Sequence, residues 1–235
     1  MKSTRDYEVS SFEQFHSVLT QFRGKRWYFR GHSSLDWSLV PKAGRPPFNV
    51  FDDREYLETW KRRARAYTAT SGLSDWDWLA LAQHHGLATR LLDWSVNPLA
   101  AAFFAVDGAP RESACVYAFR ASKIALIDNV SPFKFDGIAV FKPTAVVDRI
   151  VQQGGMFTVH GPPSLALNES LGDDEELCRI VITQAYRDRL QAELDFYYVN
   201  ATALFPGLDG LSRYMNWWYA SRERSPDSNL EALDG

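Results

Sequence analysis

The chain has 235 residues, 46% of them hydrophobic and 14% aromatic, enough apolar side chain to bury a full core in one elaborated domain or two. A formal net charge of -3 excludes an overall basic field of the kind that drives nonspecific nucleic-acid binding, so only local patches bear on a polyanionic partner. Cys115 and Cys178 lie in apolar stretches and read as buried thiols; no CxxC or Cys/His ligand spacing occurs, so no metal site is expected. The N-terminus lacks an apolar signal core and no apolar run is long enough to span a bilayer, which makes a soluble, cytoplasmic protein without a membrane partner the expectation.

Ser10-Ser11-Phe12-Glu13 places a hydroxyl cap before Phe12, Phe15, Val18 and Leu19 at helical spacing, predicting a first helix that ends near Gly24. Arg26 to Arg30 reads as an aromatic-rich strand, with Gly31 permitting a sharp turn at its end. Val40 to Val50, broken by Pro41, Gly44, Pro46 and Pro47, is a loop, either a substrate lid or a connection. Helical periodicity covers Asp52 to Thr70 and Asp75 to His85, the second stopped by Gly86. Leu91-Leu92-Asp93-Trp94 reads as a turn, after which Asn97-Pro98 opens an all-apolar helix from Leu99 to Val106, capped by Ser95 or Asn97. Aromatic and β-branched content predicts strands at Ala114 to Phe119, Gly137 to Phe141, Met156 to His160 and Leu177 to Thr183. A short helix is expected at Val146 to Gln152, and two more at Tyr186 to Tyr197 and Gly207 to Ser221, separated by the turn Leu204-Phe205-Pro206-Gly207. The tail after Arg222 is polar. Helices and strands mix without strict alternation, so the fold class is α+β.

Three clusters, Trp27 to His32, Gln83 to Ser95 and Arg149 to Thr158, set Arg, His and Asp beside Trp, Phe and Leu. A partly buried charge loses its hydration unless it is paired or used, so these clusters are the candidate site. Each also has a plain structural explanation: Arg30 paired with Asp93 or Asp36, an Arg90–Asp93 pair closing a turn that caps the next helix, and a tight turn at Gly154-Gly155 beside Gln153. His84 and His85 point one helical step apart and cannot both face one site. Whichever meets Asp93 can titrate near neutrality, the basis for reading the chain as a His/Asp-dependent hydrolase or nuclease. Lys61-Arg62-Arg63 with Arg65, Trp60 and Tyr67 is either a solvated helix face or a contact to nucleic-acid phosphates. Trp217-Trp218-Tyr219 cannot all point inward on one helix, which exposes part of this run to a partner.

In order, the chain carries Phe29-Arg30-Gly31-His32; Gln83-His84-His85-Gly86 with Thr89-Arg90-Leu91-Leu92-Asp93-Trp94-Ser95 and Asn97-Pro98-Leu99; the Arg149 to Thr158 run; and Leu204-Phe205-Pro206-Gly207-Leu208-Asp209-Gly210-Leu211. This series resembles the FRG domain family over residues 25 to 215, and implies a single FRG-type domain over residues 1–222 followed by a polar tail, residues 223–235. In the order of its motifs the family is similar to ADP-ribosyltransferases, which implies a mixed, split β-sheet core with flanking helices and NAD as co-substrate. Carried over position by position, Arg30 matches the first-strand Arg, Ser95 the middle hydroxyl, and Gln153 the late polar residue that is a carboxylate in many such enzymes. Gln153 only hydrogen-bonds, which leaves room for a nucleobase or nucleotide acceptor, or for a base supplied by Asp93 or a His.

The resemblance thus implies Arg30, Asp93, Ser95 and Gln153 as the catalytic set, with Arg30 anchoring the pyrophosphate through its planar fork. Tyr28, Trp94 or Phe157 would stack on nicotinamide, and Gly31, His32, His85 and Arg90 complete the expected contacts to the dinucleotide. It further implies mono-ADP-ribosyl transfer to a macromolecule, nucleic acid or protein, in a bacterial toxin or antiphage effector, with an antitoxin or inhibitor protein as a partner. The alternative from another class is a non-catalytic nucleotide- or nucleic-acid-binding module.

Overall fold

Ala114, Val116 and Ala118 face one core cluster and Cys115, Tyr117 and Phe119 face another, the period of two of a strand buried on both sides. That strand, β4 (Ala114–Arg120), lies within a seven-stranded sheet in a computed structural model that describes residues 4–24, 26–67, 72–108, 112–121, 130–142 and 155–224. Its companions are β1 (Arg5–Val9), β2 (Tyr28–His32), β3 (Leu91–Ser95), β5 (Gly137–Phe141), β6 (Gly155–Gly161) and β7 (Glu176–Ile182), in the order β1-β7-β4-β2-β3-β6-β5. Only β1 and β7 run parallel; the other neighbours are antiparallel. With its helices this makes an α+β fold on a mixed sheet.

The sheet has a weak seam. β2 and β3 meet at the single pair Phe29 and Ser95, whereas every other neighbouring pair is joined along its length. One face carries a continuous core across that seam, from Tyr28, Tyr117 and Phe119 to Leu92, Trp94 and Val140. The opposite face carries two separate cores. Over β1, β7, β4 and β2 lie α1 (Phe12–Leu19), α4 (Pro98–Val106), α5 (Arg187–Phe196) and the short α6 (Ala201–Leu204). Over β3, β6 and β5 lie α2 (Asp53–Ala64) and α3 (Asp75–His84). The last helix, α7 (Leu208–Arg224), packs on α6, and Gly210 permits this because a Cβ there would sit 1.8 Å from the Phe205 carbonyl oxygen.

Local chemistry explains the helix starts. Ser11 accepts from Gln14 N, Asp52 accepts from Arg54 N and Glu55 N, and Ser74 with Asp77 forms a reciprocal capping box. Between the two expected caps of α4 the structure selects Asn97, whose Oδ1 accepts from Leu99 N at 2.9 Å, while the Ser95 hydroxyl accepts from Asn97 N at 3.0 Å. Cys115 and Cys178 are both buried and free, as their apolar surroundings predict.

Several expectations are corrected. Leu91 to Trp94 is not a turn but the middle of β3, paired along its length with β6 because Leu92 and Trp94 belong to the continuous core. Gly31 does not end a strand either; it lies within β2, opposite Val116. Strand β1 was not expected: its outer side chains are exposed and only Val9 is buried, so alternation is faint on this sheet edge. Helix α2 ends at Ala64, with residues 68–71 outside the described set. The predicted helix Val146 to Gln152 and the residues from 225 onward also lie outside it.

Candidate functional site

The seam between β2 and β3 opens into a cavity of about 350 Å³, in the gap separating the two cores of the helical face. Phe29, Trp94, Phe104, Met156, Phe157 and Phe205 give it apolar walls, and Arg30, Gln83, His84, Asp93 and Ser95 converge on it as polar groups. A mainly apolar hollow with a few convergent polar groups is the usual form of a small-molecule site.

Arg30 stands at the seam. Its Nη1 donates to the Asp93 main-chain carbonyl at 2.8 Å and lies 3.6 Å from the Asp93 carboxylate, so the guanidinium spans strands that scarcely pair. Its Nε donates to His32 Nε2 at 3.0 Å. Because that nitrogen accepts, His32 carries its proton on Nδ1, which donates to the Trp37 carbonyl at 3.2 Å. Burial, reinforced by the Arg30 charge, pushes His32 down to about 3, so it is neutral and supports the guanidinium without competing for charge. Among the described residues Nη2 of Arg30 has no hydrogen-bond partner. Burial also pulls the Arg30 guanidinium below its ordinary value, with Asp93 opposing.

Asp93 is held from the other side. Gln83 Nε2, at the end of α3, donates to Asp93 Oδ2 at 2.8 Å, and Gln83 Oε1 accepts from the Thr89 hydroxyl at 2.5 Å. These bonds fix the rotamer of a carboxylate whose side chain is 56% exposed. Beneath the cavity Trp94 Nε1 donates to Thr158 Oγ1 at 3.1 Å, and that hydroxyl bonds His160 Nε2 at 2.9 Å. His160 Nδ1 donates to the Leu165 carbonyl at 2.7 Å, and burial pushes this histidine down to about 4. The Trp94 ring is thereby locked in the core on the far side of the sheet, against Phe119.

The structure brings together Arg30, Gly31, Asp93, Trp94, Ser95 and Phe157 of the expected site. Gln153 lies outside the described residues. Gly31 lines the cavity, but its smallness serves the packing of α4: a Cβ would lie 2.0 Å from the Ala101 carbonyl oxygen. Four expected contacts are corrected. Tyr28 belongs to the continuous core and His32 sits buried behind Arg30. His85 packs near Trp60 while His84 takes the cavity side, as one helical step requires. Arg90 is structural: Nε and Nη2 form a bidentate pair with Asp53 at 2.8 and 2.6 Å, Nη1 donates to the Pro132 carbonyl at 2.9 Å, and the guanidinium covers the Phe133 ring. Its partner is therefore Asp53 and not Asp93.

Gln83 stands in the Gln83-His84-His85-Gly86 motif, but the sequence alone assigns it no role; Thr89 and Asp93, its partners here, follow it by six and ten residues across the end of α3. Phe104 and Phe205 stand in or beside motifs of the family resemblance but have no role assigned from sequence; they reach the cavity from helix α4 and from the segment after α6. The basic stretch on α2 is partly consumed internally: Lys61 is buried between Glu58 and Asp75, 2.7 and 2.6 Å from their oxygens. On α7, Trp217 and Trp218 are half-buried and Tyr219 is exposed. Among the described residues no group of His, Cys, Asp and Glu has the makings of a metal site, and no helix is long and apolar enough to cross a membrane.

Fold and site together define an α+β protein with an arginine-floored cavity at a seam of its central sheet. Residues 25–114 match the family model of the FRG domain. The match takes in β2, α3, β3 and α4, which supply most of the cavity, and ends before the later motifs around residues 149–158 and 204–211. No curated protein and no solved structure matches the chain.

Proposed function

We propose that the chain is an NAD-dependent mono-ADP-ribosyltransferase acting on a macromolecular acceptor, with the seam cavity as its NAD site. The observation that carries this reading is the state of Arg30: a guanidinium fixed on two sides, with its remaining nitrogen unpartnered among the described residues, beside open space that also holds a carboxylate and a hydroxyl. Cleavage of the nicotinamide glycosidic bond of NAD develops positive charge on the ribose. Arg30 anchors the diphosphate, Phe157 supplies a flat wall, Ser95 offers a hydroxyl to the ribose, and Asp93, aimed by Gln83, faces the developing charge or accepts the acceptor's proton.

Labelled NAD incubated with the protein and a cell lysate should give labelled macromolecule and free nicotinamide. Arg30→Ala should lower kcat/KM by about 2–4 kcal/mol of transition-state stabilisation, the scale of one lost charge-stabilising donor. Neither NAD binding nor nicotinamide release from the wild type would end the proposal. A second reading, nucleotide binding without turnover, is favoured by the neutral, buried state of His32 and His160, which removes both as proton carriers. It is distinguished by NAD binding with no nicotinamide released.

A further inference from the structure

A second hollow, of about 560 Å³, lies where α1 and the 3₁₀ turn after it (Thr20–Phe22) face the start of α4 and the end of α5. Phe29 lines both hollows, and Val96, Asn97 and Pro98, which line the second, follow directly on Ser95 in the first, so the two adjoin at the one pair that joins β2 to β3. Phe12, Phe22, Phe29 and Tyr197 give the second hollow flat faces, together with Leu19 and the exposed Val96.

Its rim displays aromatic rings that the core does not use. Phe12 and Tyr197 stack with centroids 5.2 Å apart and planes 15° from parallel, and Tyr197 is still 54% exposed. Its neighbours Phe196 and Tyr198 are 84% and 69% exposed. Tyr198 has a φ of 60°, the left-handed conformation that ends a helix and that glycine usually takes. The turn is fixed by Tyr198 N donating to the Asp195 carbonyl and Val199 N to the Leu194 carbonyl, both at 2.8 Å. Strain of this kind in a non-glycine residue gathers where a surface serves a purpose other than folding.

Charge narrows what that purpose is. His16 and Arg23 line the hollow and are exposed, and among the described residues no carboxylate lines it and Arg23 makes no ion pair. Flat apolar faces with a cationic edge suit an unstacked nucleobase and its phosphate, the arrangement by which single strands are held. A second copy docking through the same patch would set these cations against their own kind.

We infer that the hollow between α1, α4 and Tyr197 binds an unpaired base of a single-stranded nucleic acid. This deepens the proposed function by naming its acceptor class; it rests on that reading for the transfer but not for the binding. In the transfer, the nicotinamide nitrogen leaves with the electron pair of its bond to the ribose, a base nitrogen or oxygen forms the new bond to the same carbon, and the acceptor's proton passes to Asp93. The test is fluorescence anisotropy of labelled single-stranded DNA and RNA, the matching duplexes and an abasic strand. Wild type should bind the single strands and leave the duplexes and the abasic strand. Tyr197→Ala should weaken single-strand binding about 5- to 150-fold, the range for one lost base stack, with NAD binding unchanged. Tyr197→Phe should keep the affinity, and Arg23→Gln should lower the slope of log K against log salt by about 0.7, one phosphate contact. If Tyr197→Ala does not fold, Val96→Glu carries the comparison, because a carboxylate at this exposed loop position repels the strand. Absence of single-strand binding, equal binding of the abasic strand or duplexes, unchanged affinity in Tyr197→Ala and Val96→Glu, or a wild-type dimer that Tyr197→Ala dissociates would each overturn the site. Label transfer from NAD to a single strand at undiminished rate in Tyr197→Ala overturns the site and leaves the transferase standing. Tyr197-dependent single-strand binding with neither NAD binding nor nicotinamide release does the reverse.

Discussion

Replacing Gly31 by alanine probes the contact that sets the height of α4 over the seam. The new Cβ would lie 2.0 Å from the Ala101 carbonyl oxygen, 2.5 Å from Ala105 N and 3.0 Å from the Phe104 carbonyl carbon, all main-chain atoms that no rotamer change can clear. Carbon and oxygen come to rest about 3.3 Å apart or more, so α4 must retreat by more than about 1 Å. That retreat draws Ala101, Phe103 and Ala105 away from Phe29 and Val116 in a close-packed core. Overpacking costs typically about 1–3 kcal/mol, and a clash made only with backbone belongs at the top of that range. Alanine also restricts the unfolded chain relative to glycine, returning about 0.4–1 kcal/mol. A net loss of about 2 kcal/mol or more remains, which for a chain of this size lowers Tm by about 4–8 °C. Thermal unfolding followed by circular dichroism, with urea titration at unchanged slope, measures it. A Tm within about 1 °C of wild type would show that the Gly31 contact does not position α4, and would refute the packing account of this glycine.

Arg90→Met should cost about 3–5 kcal/mol in urea unfolding, because the Asp53 carboxylate, 10% exposed, loses its buried partner; Arg90→Met with Asp53→Leu should recover most of it, and an additive double variant would contradict a coupled pair. His32 and His160 are neutral in the folded protein, pushed down to about 3 and about 4, but take up protons near 6.5 when unfolded. The unfolded state therefore binds more protons below that value, and stability should be full above pH 6.5 and fall from there toward pH 4 by up to about 1.4 kcal/mol per pH unit for each histidine. His32→Gln or His160→Gln should flatten that slope, and a slope identical in both variants would exclude these residues as its source. Gln83→Leu removes the donor that draws Asp93 away from Arg30, so the carboxylate should close on the guanidinium and weaken NAD binding about tenfold in equilibrium titration. Unchanged affinity would show that Gln83 does not orient Asp93.

Legibility in the sequence followed the range of the interactions. The Ser11 cap before Phe12, and the aromatic and β-branched content of β4, act within a few residues and could be read directly. The central strand β3 was read as a turn because Leu91 to Ser95 mixes Asp and Ser into an apolar run. What makes it a strand is pairing with β6, more than sixty residues away, which no local pattern reports. The same holds for Arg90, whose partner Asp53 stands on α2 and whose neighbour Pro132 lies in a later segment. At the cavity, residue type identified the polar members Arg30, Asp93 and Ser95, since a charge amid aromatics needs an explanation. It did not separate Arg30 from Arg90, because two arginines in apolar surroundings look alike until the fold shows which has a complete set of partners.

That difference in partners is also why the structural and functional roles of Arg30 are not alternatives. The seam deprives the Asp93 carbonyl on the β2 side of a ladder bond, and Arg30 Nη1 supplies the donor; Nε is taken by His32, whose own proton goes to Trp37. Three nitrogens in one rigid plane mean that satisfying two of them aims the third, so the bonds that hold the strands together also pre-orient the edge presented to a ligand. Lysine has one ammonium and no such plane, and can close the seam or meet an anion without the first act directing the second. Arg90 has the same side chain and the same kind of surroundings, but Asp53 and Pro132 between them engage Nε, Nη1 and Nη2, and it presents nothing. An open edge on a fixed guanidinium, set where a sheet fails to pair, is thus the feature on which a functional reading of this fold has to be built.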